Sequence, residues 1–154
     1  MERNSSARLL TGEAALGYTQ RVYEDPRFEG ISGLIGDVSL IWTASTLITV
    51  KLTGRSMIGE STIPGVSGVL YRDVGLQVDH SFRRWLIGSL KIGFGVDDYV
   101  GNDRVDNRYS AGAGLTYKLN RTVQIKGEFR QDWLQSNTAG ADYTASIFML
   151  GLRV

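Results

Sequence analysis

Val123-Gln124-Ile125-Lys126-Gly127-Glu128-Phe129-Arg130 is the stretch that decides the fold. Val123, Ile125, Gly127 and Phe129 share one parity; Gln124, Lys126, Glu128 and Arg130 share the other. A strand sends successive side chains to opposite faces, so this segment has one apolar and one charged face. A helix would mix Lys126 and Arg130 into the stripe that holds Val123, whereas a period of two separates them.

Working outward, the same alternation recurs and predicts eight strands over about 13–23, 35–43, 47–57, 69–80, 85–98, 108–119, 122–134 and 143–154. Their connections alternate in length. Those near 44–46, 82–84 and 120–121 are short; those near 24–34, 58–68, 99–107 and 135–142 are long and rich in Gly, Asp, Asn and Ser. In an antiparallel meander alternate connections lie at one end, so one end carries tight turns and the other polar loops. That asymmetry is typical of bacterial outer-membrane barrels. The expectation is an all-β, eight-stranded antiparallel up-and-down transmembrane β-barrel spanning 12–154, or the C-terminal eight strands of a larger one. Residues 1–11 are expected to be a disordered or truncated leader to it, since they contain no apolar run of signal-peptide length.

Composition narrows the functional classes. A net charge of +1 gives no basic surface for nucleic acid. The absence of cysteine rules out disulfides and thiolate metal sites. No apolar run reaches the length of a membrane-spanning helix. Half-apolar strands escape that test, so a barrel stays open.

Parity alone does not say which face meets water. A lipocalin-like soluble barrel would turn its apolar parity inward, and a membrane barrel would turn it outward. Side-chain volume favours the second. The apolar parity carries bulky residues, among them Leu40, Val50, Leu76, Leu90, Ile92, Phe94, Leu115, Ile125, Phe129 and Leu150, and these are the candidate lipid-facing set. The polar parity interleaves glycines with Arg21, Lys51, Arg55, Asp73, Lys91, Lys126, Glu128 and Arg130, which are the candidate lumen-lining set. Small residues beside long charged ones suit the narrow interior of an eight-stranded barrel. Trp42, Trp85 and Tyr117 fall near the short turns and Tyr109 and Trp133 near the loops, where amphipathic rings meet the headgroups.

Catalytic and metal motifs are weak. His80, the only histidine, stands between Asp79 and Ser81, but neighbours in a strand point to opposite faces and do not build a triad. Asp97, Asp98, Asp103 and Asp106 lack calcium-loop spacing and alternate with Arg104 and Arg108, which predicts a solvated loop with local ion pairs. Gly93-Phe94-Gly95 and Gly112-Ala113-Gly114 precede no helix, so they read as space-making glycines rather than phosphate loops. No cofactor is expected.

Several stretches resemble the bacterial outer-membrane family called putative beta-barrel porin type two. They are Gly17-Tyr18 through Asp25-Pro26-Arg27-Phe28, then Glu60-Ser61-Thr62-Ile63-Pro64-Gly65-Val66-Ser67-Gly68, then Asp98-Tyr99 through Arg108-Tyr109. Leu119-Asn120-Arg121 and Gly140-Ala141-Asp142-Tyr143 complete the set. The resemblance implies a Gram-negative outer-membrane barrel, porin-like or structural and without catalytic residues, in contact with outer-membrane lipid and lipopolysaccharide. Family members are typically longer, with a signal peptide and more strands, so it also implies a C-terminal portion. Two alternatives remain: a soluble lipocalin-like barrel holding a small apolar ligand, and an outer-membrane enzyme modifying lipid or polysaccharide.

Overall fold

The computed structural model describes residues 9–154, and the expectation for residues 1–8 lies outside them. Eight strands follow one another: β1 (Leu9–Arg21), β2 (Ile31–Thr43), β3 (Ile48–Gly59), β4 (Gly68–Arg83), β5 (Leu86–Val100), β6 (Val105–Lys118), β7 (Gln124–Ser136) and β8 (Tyr143–Arg153). Each pairs antiparallel with the next in a single sheet. The up-and-down meander is the one the alternation predicts. β1 begins at Leu9, three residues before the expected start of the barrel domain at 12.

The sheet is open. β1 pairs only with β2 and β8 only with β7, so among the described residues no ladder closes it. Alternation within one chain dictates strands and their order, but not which edge meets which.

Directly opposed residues of antiparallel strands share a face, so the register sorts the two faces row by row. One polar row runs Asp37, Arg55, Asp73, Gly95, Arg108 from β2 to β6. The next apolar row runs Val38, Gly54, Val74, Phe94, Tyr109, Trp133. Burial inverts the usual order. The Glu128 and Asp97 side chains are 8% exposed, while Leu90 is 64% and Leu150 84% exposed. The charged face is the sheltered one.

Connections depart from expectation at three places: β2 begins at Ile31 and not 35, β4 runs through Phe82 to Arg83 where a turn over 82–84 is expected, and the largest change is in the third polar loop. The connections at the turn end span 44–47, 84–85 and 119–123, and those at the opposite end 22–30, 60–67, 101–104 and 137–142. The third of these polar loops is therefore a tight turn, not the long loop over 99–107. β5 and β6 continue their ladder through Asp97↔Asp106 and Asp98↔Val105. Gly101 takes a φ of +90°, which a glycine adopts without steric cost, and so closes the hairpin.

A small core closes the loop end. Ile31, Val66, Val69 and Leu70 are buried there. Tyr23 donates its hydroxyl proton to the Ser67 carbonyl at 2.6 Å, and the Ser67 amide donates to the Val100 carbonyl at 2.9 Å. Ile31 pairs with Arg21, and Val69 with Tyr99, both on the polar parity. The 60–67 connection thus packs down on the polar side of the sheet.

Candidate functional site

The sheltered polar face concentrates the charged chemistry of the chain. All eight candidate polar residues lie on it, and all ten candidate apolar residues lie on the other. Their positions along the strands sort them into layers. Lys51, Gln77, Lys91 and Arg130 share one row, which holds cations and no carboxylate. The row nearer the turns holds Thr49, Asp79, Ser89 and Glu128, with carboxylates and no cation. Lys126 follows beyond it.

Opposite layers bond to each other. Lys91 donates to Glu128 Oε1 at 2.7 Å, and Lys126 lies 2.9 Å from Oε2, so one carboxylate joins two ammonium groups. Asp79 accepts from Ser89 at 2.7 Å and from Gln77 at 2.8 and 2.9 Å, with Lys51 at 3.5 Å. Arg130 donates to Asp132 at 3.1 Å.

The third group bridges strands that are not neighbours. Arg108 of β6 forks onto Asp97 at 2.7 to 3.0 Å and reaches Asp73 of β4 at 2.7 Å. Between β4 and β6 in this row stands Gly95, where a Cβ would lie 2.5 Å from Asp73 Oδ1 and 2.8 Å from Arg108 Nη2. The space-making role expected of this glycine is what the geometry requires. Lys91 and Glu128 meet in the same way, across the glycines of β6. Such crossings need a face that curls toward itself.

Arg55 and Asp37 have no ion pair among the described residues. With Asp73, Arg108, Arg130 and Asp132 they line a hollow of about 700 Å³. A second, of about 580 Å³, lies nearer the turns beside Lys51, Asp79 and Lys126. Arg21 stands apart at the rim, 3.8 Å from Glu60.

Arg108, Asp97, Asp79 and Asp132 were absent from the candidate set. All four fall inside the expected strands on the polar parity, so carrying that parity to the strand ends finds them. Asp97 and Arg108 form one of the expected ion pairs, but as ladder residues with the carboxylate sheltered and the guanidinium half-exposed, which corrects the solvated loop expected there. Asp106, nearly fully buried, accepts from Arg104 at 2.6 Å, from Tyr99 at 3.2 Å and from Ser136. The bond to Asp106 holds the Arg104 guanidinium above its usual pKa. His80 packs edge-on against Phe82 at 4.7 Å on the apolar face, while Asp79 turns to the polar one.

A family model described as putative beta-barrel porin 2 matches residues 4–154, essentially the whole chain. No curated protein and no solved structure matches it.

Proposed function

The chain belongs to the putative beta-barrel porin 2 family, and from that premise we propose that it is a porin-like wall of the bacterial outer membrane, without catalytic activity. Its apolar face contacts lipid, lipopolysaccharide included, and its charged face borders an aqueous interior. The single observation that carries this reading is the inverted burial: carboxylates sheltered, leucines bare.

Soluble proteins rarely expose contiguous apolar patches beyond a few hundred Å². Here the bare face runs over β4 to β8 through Val74, Leu90, Ile92, Phe94, Leu115, Phe129 and Leu150. On β5, β6 and β7 it spans Leu86 to Phe94, Tyr109 to Tyr117 and Ile125 to Trp133. About nine residues per tilted strand is what a bilayer core requires. Rings stand at both limits: Trp85 packs tilted against Tyr117 at 5.2 Å, and Phe94 against Tyr109 at 5.1 Å. A lipocalin-like barrel needs the reverse arrangement.

Inside a bilayer every strand edge must be paired, so β1 and β8 are joined there, to each other or to further strands. The two hollows favour an interior that admits water. Arg108, Arg130 and Arg55 face Asp37, Asp73, Asp97 and Asp132, so the ion preference of the interior is weak.

Planar-bilayer recording tests this. The expected result is stepwise conductance with little selectivity, shifted toward cations by Arg55→Glu. A stable insertion without conductance would leave a structural wall. A monodisperse protein soluble without detergent would overturn the membrane reading.

A further inference from the structure

We propose that the apolar face carries a binding site for a phospholipid with an anionic headgroup, at the short-turn end of β4–β7. The site rests on the membrane reading above and adds a ligand to it.

Its headgroup end is built by a register fault. Ser81 pairs with Ile87 and Arg83 with Leu86, so the bulge at Phe82 moves Arg83 off the polar parity. Arg83 then shares a row with Leu86, Tyr117 and Ile125 on the apolar face. Without the bulge its guanidinium would be on the charged face with Asp79. Arg84 follows in the turn, beside the ring pair of Trp85 and Tyr117.

The surrounding chain contains cations and no acids. Residues 80–96 and 117–127 include Arg83, Arg84, Lys118 and Arg121, with no Asp or Glu between them. The nearest carboxylates, Asp79 and Glu128, are on the opposite face and engaged by Lys51, Lys91 and Lys126. The acidic residues of the connections gather at the far end, at Glu24, Asp25, Glu29, Glu60, Asp103 and Asp142. On the apolar face Arg72, toward the loops, has Asp98 one row away, so the arginines of the turn end are the ones on this face with no carboxylate near them.

Below the arginines an apolar groove of about 690 Å³ runs toward the middle of the face. Gly88, Ala113 and Gly127 form its floor, and Phe82, Leu115 and Phe129 stand among its walls. The Phe82 ring lies over Gly88, where a Cβ would come within 2.5 Å of it, and so roofs the headgroup end. A phosphate at Arg83 and Arg84 with an acyl chain along the glycine floor fits both parts. Neither a free anion nor a neutral hydrocarbon uses both.

The test uses the chain folded into vesicles and then extracted in mild detergent. Retained lipid is read by native mass spectrometry after titration with phosphatidylglycerol or phosphatidylcholine. Phosphatidylglycerol is expected to be held roughly 10- to 30-fold more tightly, since each of the two arginines near an anionic headgroup adds about fivefold at most. Arg83→Gln with Arg84→Gln should bring the two lipids to parity. Gly127→Leu should weaken both alike, and nothing lies within 4 Å of a Cβ there to strain the strand. Equal retention by the wild-type chain would overturn the site while leaving the membrane reading intact. So would retention of lipid A in preference to phosphatidylglycerol. A chain that fails to enter vesicles at all would overturn both.

Discussion

Single residues on the charged face act through the partners they hold. Glu128 is the clearest case, because one sheltered carboxylate satisfies both Lys91 and Lys126. Glu128→Gln keeps the shape and removes the charge, leaving two ammonium groups facing each other. Both lysines are partly exposed, so the cost falls below that of a fully buried pair. A loss of about 1–3 kcal/mol is expected, read by urea unfolding of the vesicle-inserted protein, and Lys126→Gln should cost less because Lys91 remains. A second residue effect lies outside the strands, in the 22–30 connection. Arg27 donates to both oxygens of Asp25 at 2.7 to 3.1 Å, and this holds the Asp25 carboxyl below its usual pKa of 3.8. A depressed carboxylate favours the folded connection above the unfolded value, and that preference fades as pH falls through the folded one. An NMR titration should place the Asp25 carboxyl below 3.8, and Arg27→Ala should raise it part of the way back, since the residue-27 amide still donates to Oδ1. An unchanged midpoint in the variant would remove the pair as the cause.

Elements were legible in the sequence wherever a period of two ran unbroken, and less so where side chains outside the pattern fixed the ends. β7 is readable from Gln124 to Phe129 because no apolar residue falls on the charged parity there. β5 and β6 run past their expected ends, to Val100 and from Val105, because buried Asp106 looks like a loop residue until its partners are known. The bulge at Phe82 was hidden for a different reason: it resembles an early turn, and only the pairing of Arg83 with Leu86 reveals it. The same register supplies a graded test of the apolar face. Along β5 that face presents Leu86, Gly88, Leu90, Ile92 and Phe94, so Leu90 is at the centre of the band. Leu90→Arg should cost about 2–4 kcal/mol, and Leu86→Arg at the margin about 0–1. Both follow from unfolding in vesicles. Equal costs at the two positions would mean that no depth gradient, and so no bilayer, acts on β5.

At the scale of the whole molecule the two edges decide what the wall becomes. Eight strands could be counted from the chain, yet closure could not, because an edge strand alternates in the same way as a central one. β1 and β8 are the barest strands of the sheet: Leu16 is 83% and Phe148 80% exposed. Among the described residues their outer backbone groups have no ladder partner. In water such an edge is a template for pairing with another chain. In hydrocarbon it is untenable, since each unpaired amide or carbonyl costs several kcal/mol. Insertion therefore demands a partner for both edges, and amide hydrogen exchange reads its presence directly. In detergent-free vesicles, the amides of β1 and β8 should exchange as slowly as those of β4 and β5, which are paired on both sides. Edges that stay fast while β4 and β5 are protected would mean the sheet lies open where it resides. An open sheet does not span a bilayer, so the wall would then have to bury its apolar face against protein instead.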